Sequence, residues 1–236
     1  MNRIRAVCFD LDDTLIDSTA AERTGALLFA ERFRDQVIAC EDFHARWRTA
    51  TAAAFDRYLA GAIPFMQQRR ERVRALCADA PDDAEADRRF AVYLEGYRRE
   101  WRLFADVLPT LDALRQLPLA IISNAPVAQQ REKLTRVGIA DRFQAMLTPD
   151  TAGVGKPDPR IFLAACAALG VAPGECLHVG DHLDHDAIGA RDAGLHGVWL
   201  DRTGAATGAA GIPRVTGLEA ATLLADRDGA VQVAGV

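Results

Sequence analysis

From residue 107 onward the chain alternates short apolar runs with stretches of helical periodicity, and no other feature restricts its fold as strongly. Residues 119–123 read as a strand, 127–137 as a helix stopped by Gly138, and 145–147 as a short strand. Residues 158–169 read as a helix with Pro159 near its start and Gly170 at its end. Residues 177–179, 184–193 and 197–200 continue as strand, helix and strand. The run 4–9, interrupted only by Arg5, supplies a further buried strand. Repeated strand–helix units predict an α/β fold, a parallel sheet with right-handed crossovers and helices on its faces.

Residues 17–106 follow another pattern, with no strand signal. Ala26, Phe29, Ala30, Phe33 and Val37 recur at helical spacing, as do Phe43, Trp47, Ala50 and Ala54, and again Phe90, Leu94, Tyr97 and Trp101. Turns are expected at 61–64 and 80–83. The expectation is an all-helical insert of about four helices, its aromatics forming its own core. The domains then comprise 1–16 with 107–236, and 17–106. Residues 107–117 look helical, with Pro109 tolerated in the first turn. Residues 203–211 read as a Gly/Ala-rich loop and 226–236 as a loosely held tail.

The ends of the apolar runs carry the chemistry, as strand ends do in open α/β sheets. The first run ends in Asp10, Asp12 and Thr14, the second in Ser123 and Asn124, and the third in Asp181, followed by Asp184 and Asp186. Paired carboxylates with a nearby hydroxyl suit a nucleophile, a proton shuttle and a donor converging on a small anion. Carboxylates repel anions, so such a site needs a divalent cation, and hard oxygen ligands select Mg²⁺. A capped Asx-type turn is the simpler alternative for the first run. Only Lys133 and Lys156 among 28 basic residues are not arginine, which sets Lys156, in a Gly-Lys-Pro loop, apart from the background.

At these residues the chain closely resembles the haloacid dehalogenase superfamily of aspartate-nucleophile hydrolases. Asp10, Asp12 and Thr14 match its first motif, Ser123 its second, Lys156 its third, and Gly180, Asp181 and Asp186 its fourth. The match is ordered and runs from residue 6 to about 201. The resemblance implies a Rossmann-like core with an inserted helical cap. It also implies that Asp10 attacks phosphorus and that Asp12 serves as acid and then base. Mg²⁺ would sit on the Asp10 carboxylate, the Asp12 carbonyl and Asp181, with Asp186 in support and Asp184 also within reach. Thr14 and Ser123 would hold the transferring group, Lys156 would steady Asp10 and the phosphoryl oxygens, and Asn124 would line the pocket or form a turn.

The family's dehalogenases share the nucleophile but expel a halide without a proton donor or Mg²⁺, and they characteristically lack the second aspartate. Asp12 therefore points to a phosphatase, with a 2-haloacid dehalogenase or a catalytically silent binding module as alternatives. A cap of this size implies a small soluble phosphate ester. Residues 177–181 and 189–190 with Trp199 look most like phosphatases of flavin biosynthesis acting on FMN and ribityl phosphates, and acylneuraminate-9-phosphatase-like and nucleotidase members look similar too.

A formal charge of −5 argues against nucleic acid, which normally demands a basic patch. The arginines of the insert are offset: residues 17–106 hold 15 basic and 16 acidic side chains. His182 and His185, three apart, are set against a transition-metal site by the oxygen ligands beside them. Five cysteines without metal spacing read as small hydrophobes or surface thiols. No run is long enough for a membrane span or signal core, so the expected location is cytoplasmic. Oligomeric state is left open.

Overall fold

The computed structural model describes residues 3–205 and 211–219; residues 206–210 of the expected loop and the whole expected tail lie outside them. Contacts divide the chain into two units, Met1–Asp17 with Arg102–Val236, and Ser18–Trp101.

The first unit is built on a six-stranded, all-parallel sheet in the order β3-β2-β1-β4-β5-β6. Its strands are β1 (Ala6–Phe9), β2 (Leu119–Ile122), β3 (Ala145–Leu147), β4 (Cys176–Gly180), β5 (His196–Leu200) and β6 (Arg214–Val215). Strands covered on both faces must be apolar throughout, and β1 is: Val7 and Phe9 face one core with Leu111, Leu134 and Leu177, while Ala6 and Cys8 face the other with Ile161, Phe162 and Ala165. Cys8 and Cys176 are free thiols packed 3.5 Å apart in that second core. A parallel sheet brings its strand ends to one edge, so Asp10, Ser123 and Asp181 emerge together by topology.

The second unit holds α1 (Ser18–Arg32), α2 (Phe43–Leu59), α3 (Phe65–Leu76) and α4 (Asp83–Arg99). Asp42 and Asp82 begin α2 and α4 by accepting from the N–H groups of Ala45 and Glu85. Trp47 is fully buried at the centre, 4.4 Å from Tyr93 and 5.2 Å from Phe29 between ring centroids. Buried aromatic area of this kind dominates a small helical core.

The sheet unit adds α5 (Val107–Ala113), α6 (Val127–Arg136), α7 (Pro149–Ala152), α8 (Pro159–Leu169) and α9 (Gly189–Asp192). Three details depart from expectation. The second crossing between units comes at Arg102 and not at 107, because the Leu103 and Phe104 backbone pairs with Ile16 and Leu15. The helix expected over 184–193 is a wide π turn at Leu183–Ile188 followed by α9; Asp186 folds back onto the His182 N–H at 3.0 Å inside that turn. The two-residue β6 is too short to leave a sequence pattern. Among the described residues no helix is long and apolar enough to cross a membrane.

Candidate active site

Asp10 follows β1 directly and remains in ladder register, its N–H donating to the Val179 carbonyl at 2.9 Å. The chain then turns sharply through Asp13, whose φ of 56° lies in the left-handed region. Leu11 to Ile16 close on themselves, with the Ile16 N–H on the Leu11 carbonyl at 3.0 Å. Thr14 is fully buried in this loop, and its hydroxyl accepts the Asp181 N–H at 3.0 Å. That hydroxyl ties the first loop to the fourth.

Lys156 lies between α7 and α8, almost wholly buried, and donates to Asp10 Oδ1 and Asp186 Oδ1, both at 2.6 Å. Asn124 fixes this lysine from behind. Its Nδ2 donates to the Lys156 carbonyl at 2.9 Å and its Oδ1 accepts the Lys156 N–H at 2.7 Å. Of the two open readings for Asn124, the geometry supports holding a loop. Ser123, at the end of β2, accepts from the Ala125 N–H and from Gln130 Nε2.

The structure separates Asp186 from Asp184. Asp186 is buried and held by Lys156, His178 Nε2 at 3.0 Å and the His182 N–H, whereas Asp184 is exposed. Asp10, Asp181 and Asp186 each place a carboxylate oxygen within 4.8 Å of the others. The Asp12 carboxylate lies outside that group and turns toward α6, where Gln130 and Lys133 hold it. Neither His182 nor His185 joins the group; the two rings stack on each other.

Electrostatics follow from burying these charges together. Burial raises the Asp10 carboxyl to about 7, with the Asp186 and Asp12 charges adding and Lys156 opposing. Burial likewise raises Asp181 to about 9, reinforced by Asp10, Asp186 and Asp13. Asp186 is also penalised by burial, but Lys156 and His178 outweigh it and hold the carboxyl well below its usual range. Lys156 is pulled down by burial and more than restored by Asp10 and Asp186, so it stays charged. Burial lowers His178 and favours the neutral ring. Asp10 and Asp186 thus share one ammonium with Asp181 beside them, and the all-oxygen donor set fits a hard divalent cation such as Mg²⁺.

Sequence reasoning missed two residues here, while His178 is a buried, hydrogen-bonded core residue whose partner is Asp186. Gln130 and Lys133 lie on the inner face of α6, fully buried, and hold Asp12. The scarcity of lysine singles out Lys133 as it does Lys156, and its spacing from Gln130 is the signal that was available.

A profile of the haloacid dehalogenase-like hydrolases matches residues 4–194. The chain belongs to that family. Within the family it is of the phosphatase type. A phosphoserine phosphatase of Thermus thermophilus is 33% identical over 226 residues, covering 84% of this chain and 89% of that one. Human N-acylneuraminate-9-phosphatase is 29% identical over 213 residues, covering 86% and 85%. The crystal structure of a 2-haloacid dehalogenase from Pseudomonas syringae superposes with a TM-score of 0.70 at 29% identity, covering 93% of this chain and 96% of that one. Haloacid dehalogenase-like phosphatases and dehalogenases therefore share this chain's fold, and the fold alone does not separate them.

Proposed function

We propose that this phosphatase hydrolyses a small, soluble phosphate monoester with Mg²⁺, through an aspartyl-phosphate on Asp10. The observation that carries the reading is the buried Lys156 ammonium bridging Asp10 and Asp186, with Asp181 completing a carboxylate cluster. An anionic nucleophile beside an anionic substrate needs fixed positive charge, and phosphoryl transfer is mostly positioning and charge stabilisation.

Asp10 attacks phosphorus, and the ester P–O bond breaks as Asp12 gives its proton to the leaving oxygen. Asp12 then takes a proton from water, which attacks the same phosphorus and releases phosphate from Asp10. Lys156 holds Asp10 in place and meets the phosphoryl oxygens, with Ser123 presenting its hydroxyl to the same group. Asp10, Asp181, the Asp12 carbonyl and, in support, Asp186 would hold Mg²⁺, which when bound offsets the repulsion between nucleophile and substrate. Thr14 and Asn124 keep the loops of Asp181 and Lys156 in place.

The dehalogenase reading is favoured by fold similarity alone, and the second aspartate speaks against it, because a halide leaves without a proton. Phosphate release from p-nitrophenyl phosphate that requires Mg²⁺ tests the proposal. Halide release from a 2-haloacid without phosphate release would replace it with the dehalogenase, and neither product would leave a silent module. The substrate lean is toward ribityl phosphates and FMN. A panel of phosphorylated metabolites that includes them and phosphoserine, assayed by phosphate release, tests that lean.

A further inference from the structure

On α6, Gln130 and Lys133 lie one turn apart and face the first-motif loop. Lys133 donates to Asp12 Oδ1, and Gln130 Nε2 donates to Asp12 Oδ2 at 2.7 Å, so each carboxylate oxygen has its own donor. The same Gln130 nitrogen donates to Ser123 Oγ at 2.7 Å. Both donors are fully buried, yet the Asp12 side chain is 31% exposed. The carboxylate is thus gripped from α6 while part of its side chain stays exposed. Two charge-assisted or polar donors on separate oxygens fix both the position and the plane of a carboxylate, where one would leave it free to turn.

We propose that Gln130 and Lys133 are positioning residues for the proton-transferring Asp12, aligning it with the leaving-group oxygen and, through Ser123, with the group being transferred. The inference rests on the acid–base role given to Asp12 above. It explains why a chain so rich in arginine keeps a lysine here: a compact ammonium reaches one carboxylate oxygen and leaves the other to Gln130, whereas a guanidinium fork would take both. It also explains the burial of both α6 side chains. A buried ammonium needs a carboxyl partner, and the one Lys133 has keeps part of its side chain exposed.

The decisive measurement is kcat/KM for two esters of the same shape, phenyl phosphate and p-nitrophenyl phosphate. Phenolate needs a proton as it leaves, nitrophenolate far less, and kcat/KM reports only the steps up to formation of the phosphoenzyme. For Lys133→Met the expected result is a loss of about a hundredfold on phenyl phosphate, at the lower end of what general acid catalysis supplies. The loss on p-nitrophenyl phosphate should stay within about fivefold on the same grounds. A merely structural ion pair would lower both esters equally, and equal losses overturn the proposal. Gln130→Leu, which removes no charge, should show the same selective loss in smaller measure and serves if Lys133→Met does not fold. Asp12→Asn is the reference. If it is selective while both α6 variants are not, the positioning role falls and the mechanism stands. If Asp12→Asn itself lowers both esters equally, Asp12 is not the proton donor, and the mechanism falls with the positioning role.

Discussion

A single methyl group at Gly180 should disable this enzyme without touching any residue that meets the substrate. Gly180 ends β4 and has no left-handed backbone that would itself demand glycine. What it lacks is room: a Cβ there would stand 2.2 Å from Asp186 Cγ, 2.5 Å from Oδ2 and 2.6 Å from Cβ. Asp186 would have to retreat by about 1.2 Å to reach 3.4 Å, where ordinary contact begins. It is not free to do so, being held by Lys156, His178 and the His182 N–H. Overpacking of this kind costs about 1–3 kcal/mol. Pulling one member out of a buried ion pair costs about 3–5 kcal/mol when the loss is complete. Here the pair is stretched, so a total of about 3 kcal/mol is expected, a fall in Tm of about 6–12 °C at about 2–4 °C per kcal/mol. Displacing a site group by about 1 Å can cost about a hundredfold in rate, and kcat/KM for p-nitrophenyl phosphate should fall accordingly. The assay is Gly180→Ala against wild type, in phosphate release and in thermal melting. Activity within about twofold and an unchanged Tm would show that Asp186 is not fixed where the reasoning requires.

Three further outcomes are expected. Asp10→Asn should keep its melting transition and lose about a thousandfold or more in kcat, the scale of an essential nucleophile; retained activity in the folded variant would end the aspartyl-phosphate mechanism. Lys156→Arg should be nearly as damaging, because a planar guanidinium does not fit a buried point that serves Asp10 and Asp186 at 2.6 Å each; near-normal kcat would make Lys156 dispensable. Without a cation Asp10 is held up to about 7 and Asp181 to about 9, so at pH 6 both carry protons that Mg²⁺ must displace. Affinity should therefore rise from pH 6 to pH 8 with proton release, read by calorimetry in buffers of different ionisation heat; pH-independent binding would remove these carboxylates from the metal site.

The sequence displayed the core of this site because parallel strands deliver their ends to one edge, so short motifs far apart in the chain converge without any knowledge of loops. Asp10, Ser123 and Asp181 are legible for that reason, and Lys156 because lysine is scarce in this chain. The choice between Asp184 and Asp186 was not, since it depends on a π turn that breaks the helical spacing expected there. Gln130 and Lys133 were hidden differently. They belong to an ordinary helix, and only its packing reveals that two polar side chains spaced for one face point inward. The bond by which the Thr14 hydroxyl accepts the Asp181 N–H was not legible either, because it joins loops 167 residues apart.

The aromatic residues of the helical unit allow an ordering to be argued within the proposed substrates. A flavin ring is usually bound by stacking, which requires a ring face not already occupied. Every Phe, Tyr and Trp between Ser18 and Trp101 has another aromatic ring within 6.3 Å between centroids. Arg72 further covers Trp47, Phe90 and Tyr93, its guanidinium 5.0–5.2 Å from each ring. Phe29, Trp47, Phe90, Tyr93, Tyr97 and Trp101 are buried in the unit's own core, so an isoalloxazine stacking on any of these would have to displace packing and not merely add to it. Acyclic esters such as ribityl phosphates make no such demand. Within the substrate lean, the expected order in kcat/KM is therefore ribityl phosphate ahead of FMN, by about tenfold or more, the factor that about 1.4 kcal/mol of disturbed packing would give. FMN turned over faster than the ribityl esters would mean that a half-buried ring such as Phe55, Tyr58 or Phe65 offers an open face, and Tyr58→Leu would then be the variant to make.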